Sequence, residues 1–209
     1  MFAVVFEVNP RAERWSDYLG HAAMLRPELL KIDGFIANER YGSRGRPGWL
    51  VSLSIWRDEK ALVRWRTHAL HSKIQGKGRL EIFSDYHLRV GEIVIDTHLE
   101  PEALLVQQRF DITQASEAKV VIATEQPLEA LNPRAAPMPG LLGSDTFDSL
   151  TRPGDGLNLT SWRDLVAAQA GLAAMQGRHR VVRVIRDYGM FVREEAPQYY
   201  PPVGSRQTP

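Results

Sequence analysis

The stretch Ser54-Ile55-Trp56-Arg57-Asp58-Glu59-Lys60-Ala61-Leu62 decides the fold, because its centre returns later in the chain. Trp56-Arg57-Asp58 recurs as Trp162-Arg163-Asp164. Working outward, Gly34-Phe35 recurs as Gly140-Leu141 and Pro47-Gly48 as Pro153-Gly154, all three pairs 106 residues apart. Further on, Asp85-Tyr86 recurs as Asp187-Tyr188, and Arg89-Val90 approximates Phe191-Val192-Arg193 after a short deletion. One matched dipeptide is noise, but five in one order, three at a constant offset, indicate internal repetition. The sequence predicts two homologous units, 1–97 and 103–196, joined around Leu99-Glu100-Pro101. A Pro-rich tail, 197–209, follows, with a mobile end expected.

Composition bounds the functions open to such a chain. With 26 Lys+Arg against 25 Asp+Glu the formal charge of the 209 residues is +1, which argues against a nucleic-acid surface or a polybasic membrane patch. At 44% hydrophobic residues the chain can bury a core, so disorder is excluded. Cysteine is absent, which removes disulfides, thiolate nucleophiles and zinc–sulfur or iron–sulfur sites. The start, Met1 to Pro10, has neither a basic n-region nor an apolar run of signal-peptide length, and no span of bilayer length follows. A cytoplasmic protein is expected.

Each unit has its own local reading. Phe2–Val8 is β-branched-rich and closed by Asn9-Pro10, hence a strand. Trp15, Tyr18, Leu19, Ala22, Leu25 and Leu29 repeat at helical spacing over Arg11–Lys31, with Pro27 expected to break or kink the helix near its end. Phe35–Tyr41 and Trp49–Trp56 read as strands, the second alternating Leu50, Ser52, Ser54, Trp56 against Val51, Leu53, Ile55. The glycine- and arginine-bearing segment between them, Gly42–Gly48, reads as a flexible connector. Asp58 is placed to cap a helix from about Glu59 to Gln75, and a fourth strand runs from Arg79 through Asp85 into Ile95. The order β-α-β-β-α-β is that of a ferredoxin-like unit. In the second unit Lys119–Thr124 suits a strand by propensity, yet the repeat assigns it to the first helix, and helix is the expectation.

The run from Ser54 through Trp56-Arg57-Asp58, Trp65-Arg66, His71, Gln75-Gly76, Asp85-Tyr86 and Arg89-Val90 resembles the antibiotic biosynthesis monooxygenase superfamily. That resemblance implies an α+β fold: two ferredoxin-like repeats forming a dimeric-type α/β barrel, closed here within one chain. It also implies a function, since some members oxygenate polycyclic phenols or small quinols without metal or flavin. Others bind and degrade haem with a His further along the helix and an Asn in the first strand, a pattern this chain departs from.

The candidate residues lie in the first unit. At about 100° per residue, Ala61, Trp65, His68 and Ser72 share one helical arc, with His71 to one side. Val63, Leu70 and Ile74 form a second stripe that another element, or a second chain in a homodimer, would cover. His71 is a candidate base or polar anchor because imidazole titrates near neutrality. Tyr86 is a candidate hydrogen-bond donor, with Trp65, Arg66 and His68 as substrate-binding residues. Trp56, Trp162 and Tyr188, held in common by the halves, read as architecture. His21, His98 and His179 read as exposed. The positions 106 residues beyond Trp65, His68 and His71 are Gly171, Ala174 and Gly177, so the second unit lacks these groups and is free to pack closely. The leading expectation is a cofactor-independent, metal-free monooxygenase acting on a small aromatic phenol or quinol with dioxygen. A non-catalytic ligand-binding or stress-associated barrel is the alternative, and haem binding ranks third.

Overall fold

A computed structural model describes residues 1–99, 104–131, 137–173 and 175–204. The N-terminal half runs β1 (Phe2–Pro10), α1 (Trp15–Leu30), β2 (Phe35–Ser43), β3 (Leu50–Trp56), α2 (Glu59–Thr67), α3 (Ala69–Lys77) and β4 (Phe83–Asp96). The C-terminal half runs β5 (Val120–Pro127), β6 (Leu141–Ser149), β7 (Asp155–Trp162), α4 (Leu165–Leu172) and β8 (Arg178–Gly189). The eight strands close into one antiparallel barrel in the order β1-β3-β2-β6-β7-β5-β8-β4. The expected α+β barrel is therefore built by a single chain, with its helices outside. No helix among the described residues is long and apolar enough to cross a membrane.

The landmarks spaced by 106 residues take matching geometry. Gly34 and Gly140 adopt positive φ, 88° and 82°, where a side chain would be strained, and each carbonyl accepts from the following Arg57 or Arg163 amide. Asp58 Oδ1 accepts from the Ala61 amide at 2.7 Å and Asp164 Oδ1 from Ala167 at 2.8 Å, so each caps its helix. Trp56 and Trp162 are buried, their indole N–H groups donating to Ser54 and Thr160. The Asp-Tyr dipeptides behave differently. Phe2 pairs with Trp56 and Glu92, and Val120 with Trp162 and Arg183, so Arg89 corresponds to Arg180 and Tyr86 to Gly177. Tyr86 and Tyr188 are not equivalent positions.

Three further expectations change. Lys119–Thr124 does not form a helix: Val120 onward is β5, buried on both faces, and β-branched propensity prevails there. Between β5 and β6 the described residues hold only a 3-10 turn, Leu128–Ala130. Pro27 lies inside α1 without ending it. The Glu59–Gln75 helix divides at His68, whose ψ of 128° is extended, and Gly78–Ile82 form a π-helical turn before β4. Glu100–Ala103, within the junction between the halves, and Ala174 lie outside the described residues.

Alternation sends Ala3, Val5, Val51, Leu53 and Ile55 into the barrel, where they meet Val121, Ala123, Leu157, Leu159, Val182 and Val184 from the other half. Charge closes the same interior at two corresponding places. Glu7 receives hydrogen bonds from Arg46 (2.6 Å) and Arg89, and Arg46 also holds Asp145 of the other half at 2.7 Å. Correspondingly, Glu125 pairs with Arg152 (3.4 Å) and Arg180, and Arg152 reaches back to Glu39 at 3.3 Å. The Gly42–Gly48 segment is thus no plain connector, since its Arg46 ties the halves together.

Burial alone would raise the Glu7 carboxyl, but Arg89 and Arg46 outweigh it and hold the group below its ordinary value of 4.5. The stability Glu7 contributes is complete above that value and is lost as pH falls through the lower folded-state one. Glu7→Gln should therefore flatten the acid limb of a melting-temperature profile measured from pH 7 to pH 3. Glu7→Ala, which strands buried Arg89, should cost about 3–5 kcal/mol at pH 7.

Candidate functional site

On the outward face of the sheet, Leu29 of α1 and Ala61 and Leu62 of α2 pack with Phe2, Trp56 and Val90, and Tyr18 of α1 packs with Val8, Leu50 and Tyr86. The break at His68 shapes what lies beneath. In an unbroken helix the Trp65 carbonyl would accept the Ala69 amide. Here it accepts a long 3.2 Å bond from the His68 amide, and the His71 ring supplies a second, with Nδ1 at 2.9 Å. A carbonyl only accepts, so His71 Nδ1 carries the proton and Nε2 is left with a lone pair. The His71 and Trp65 rings stack at 4.1 Å with planes 14° apart. Burial pushes the His71 imidazolium down to about 4, the Trp65 carbonyl opposes this, and His68 adds to it. At neutral pH His71 is uncharged. It is a hydrogen-bond acceptor there and a weak base.

A cavity of about 240 Å³ lies between these helices and the sheet. Its walls include Val4, Phe6, Leu29, Ile74 and Phe83, together with Trp65, Arg66, His71 and Tyr86. Four of the five candidate residues are thus gathered around one space. His68 is not among them: it sits at the helix break, stacked 5.7 Å from Trp65, with Nε2 3.8 Å from Glu28. Ile74 lines the cavity and Val63 packs against the core beneath, so two members of the second stripe are covered by this chain.

Tyr86 faces the cavity, and its neighbour His87 turns into the barrel, where Nε2 lies 2.6 Å from Asp187. The Tyr86 hydroxyl accepts from Arg193 Nη1 at 2.6 Å and Arg79 Nη1 at 3.1 Å. With both acceptor positions engaged, its own proton is free for a third partner. Arg79 is buried and also donates to the Met190 carbonyl at 2.6 Å.

Several lining residues escape a sequence reading. The 197–209 tail supplies Pro197, Gln198 and Tyr200, and β8 supplies Arg186 and Tyr188. His21 lines the cavity, and His179 is buried, its Nδ1 3.0 Å from the Thr124 hydroxyl; neither is exposed as expected. No local signal marks the tail residues: Tyr199 stays 87% exposed while its neighbour Tyr200 folds back to the cavity. Arg193 lies 5.4 Å over the Tyr200 ring. Charge is one-sided as well: among the lining residues stand six arginines, Arg26, Arg40, Arg66, Arg79, Arg186 and Arg193, against one carboxylate, Glu59, which is held by Arg109.

Among the described residues, the other half is packed tightly over Trp162. At Gly171, the place corresponding to Trp65, a Cβ would lie 2.4 Å from the Trp162 ring, so α4 rests directly on the indole. The expected close packing is met there.

The family model for antibiotic biosynthesis monooxygenases matches residues 1–77. A curated relative, the jasmonate monooxygenase ABM of Pyricularia oryzae strain 70-15, is 40% identical over 218 aligned positions, which cover 97% of this chain and 99% of the relative. The chain belongs to the antibiotic biosynthesis monooxygenase family. Among solved structures, this family member is similar to an antibiotic biosynthesis monooxygenase at 16% identity, covering 46% of this chain and all of the other, with a TM-score of 0.41. It is also similar to an anthrone oxidase-like protein at 13% identity, covering 94% and 96% of the two chains, with a TM-score of 0.37.

Because the folded-state His71 value is depressed, the stability this residue contributes is complete above about pH 6.5 and is lost as pH falls toward 4. Nitrogen-15 NMR should show the His71 ring as the Nδ1–H tautomer, unchanged from pH 8 to pH 5 and titrating near 4. A midpoint between 6 and 7 would contradict the buried, carbonyl-bound geometry.

Proposed function

We propose that the chain is a monooxygenase that takes a small, largely apolar carboxylic acid of the jasmonate type into the cavity beneath α1, α2 and α3. The observation that carries this reading is the imbalance of six guanidinium groups against one carboxylate around an otherwise apolar space. Cations facing an apolar cavity are costly without an anion, and a carboxylate-bearing hydrocarbon supplies both the charge and the apolar body. The name of the Pyricularia oryzae relative, matched along nearly its whole length, points to the same substrate class. In this reading Trp65 and Phe83 hold the apolar body, Tyr86 donates to a substrate oxygen, and His71 Nε2 accepts from a hydroxyl. The halves are diverged copies of one unit: the first keeps the His and Trp, and the second contributes scaffold and one wall.

The flat stack of Trp65 on His71 favours a second reading, a phenol or quinol lying against it. Redox accounting separates the two. Monooxygenation puts one oxygen atom into substrate and reduces the other to water. A quinol provides the electrons for that itself, whereas an aliphatic C–H needs two more from an external reductant. With jasmonic acid, dioxygen and ascorbate, the expected outcome is a product 16 mass units heavier, formed about tenfold or more slowly by His71→Ala when both proteins are assayed well below their melting temperatures. Oxygen uptake with a naphthoquinol and no reductant, alongside inert jasmonic acid, would favour the second reading. Binding of either compound without turnover would leave a ligand-binding barrel.

A further inference from the structure

Not all of the arginines around the cavity are equally occupied. Arg79 and Arg193 direct their Nη groups to the Tyr86 hydroxyl and to the Met190, Gly189 and Gln198 carbonyls, although Arg79 Nε is buried without a partner. Arg66, from α2, makes no hydrogen bond or ion pair with a described residue, and its Nε is fully buried and unpartnered. Arg186, from β8, is within electrostatic reach of Asp111 yet forms no ion pair with it. Beside them Tyr188 is almost wholly buried, and its hydroxyl makes no hydrogen bond with a described residue.

The state of that phenol matters. Burial pushes the Tyr188 hydroxyl up to about 12 and nearby Tyr86 adds to the rise, while Arg66, Arg193 and Arg186 pull the other way. It keeps its proton at neutral pH and is therefore a donor. Two free guanidinium groups and a donor phenol with no acceptor among the described residues make an arrangement lacking only an anion, and a carboxylate offers two oxygens with about four acceptor sites.

We infer that Arg66, Arg186 and Tyr188 form a carboxylate-binding subsite at the β8 wall of the cavity, which holds the acid group of the substrate and points its apolar body toward Trp65. This rests on the reading of the cavity as the substrate site, and it assigns the acid's anchor jointly to the two halves of the chain. Arg193, 5.7 Å from the Tyr188 ring, backs the subsite without being released from Tyr86. Arg66 and Arg186 are specificity residues: they select acids over neutral analogues and position the substrate without taking part in bond making.

Titration calorimetry of the full chain tests this with two acid and ester pairs, jasmonic acid with methyl jasmonate and 4-phenylbutyrate with its methyl ester. The native protein should bind each acid at least tenfold more tightly than its ester. Arg66→Gln and Arg186→Gln should each reduce that preference, and together they should abolish it, while ester affinity stays within about twofold, which shows that the cavity remains folded. Arg186→Lys should restore part of the preference, since it keeps the charge and loses the fork. Equal binding of acid and ester by the native protein, or a preference unmoved in the double variant, would overturn the subsite. If jasmonic acid is not turned over and 4-phenylbutyrate still shows the arginine-dependent preference, the substrate reading fails and the subsite stands.

Discussion

Everything in this molecule depends on how one chain closes a barrel that carries charge inside it. Glu7 and Glu125 occupy corresponding places, each flanked by two arginines, and in both cases the loop arginine, Arg46 or Arg152, also grips an acid on the opposite half. Such pairs add little net stability by themselves, because desolvation takes back most of the attraction. Their effect is on register. A one-residue slip in β1 would turn Glu7 outward and leave buried Arg89 without its carboxylate, with only the Ser161 hydroxyl to accept from it. The interior between the two clusters is filled by side chains from both halves. Room for a ligand lies on the outside, under the helices.

Among the described residues, that room lies over Trp56 and not over Trp162. Trp56 and Trp162 hold the same place at the end of corresponding strands, and each hydrogen-bonds two residues back along its own strand. Over Trp162, Gly171 lets α4 settle onto the ring. Over Trp56, the same helical position carries Trp65, a side chain too large for such an approach, and the layer is completed by α1 and by a helix that breaks at His68. The break has a chemical consequence too. It leaves the Trp65 carbonyl under-used, His71 fills the vacancy, and Nδ1 is thereby committed while Nε2 makes no hydrogen bond with a described residue.

Much of this was legible in the sequence, and the failures have physical causes. The strand alternation of Val51, Leu53 and Ile55 against Ser52, Ser54 and Trp56 gave the barrel and outer faces, because burial on one face enforces period two. Asp58 and Asp164 announced their helices through capping chemistry. Trp65, Arg66, His71 and Tyr86 could be gathered around one space because helix and strand periods fix their directions. The break at His68 has no proline or glycine to mark it, so helical phase carried past it misplaced His68. Lys119–Thr124 departs from the expected helix because its β-branched run pairs between two strands, and no helix equivalent to α1 follows it among the described residues. The match of Asp85-Tyr86 with Asp187-Tyr188 was a coincidence of dipeptides that only strand pairing could expose. Arg46 and the residues after Arg193 act at long range, and nothing local in the sequence reveals the partner a loop or tail will reach.

The most direct measurement is a crystal structure of the protein grown with jasmonic acid. The acid should lie beneath α1, α2 and α3, its carboxylate against Arg66 and Arg186 and its ring near the Trp65–His71 stack. A ligand bound elsewhere on the barrel, or held in this cavity with its carboxylate away from both arginines, would contradict the central claim.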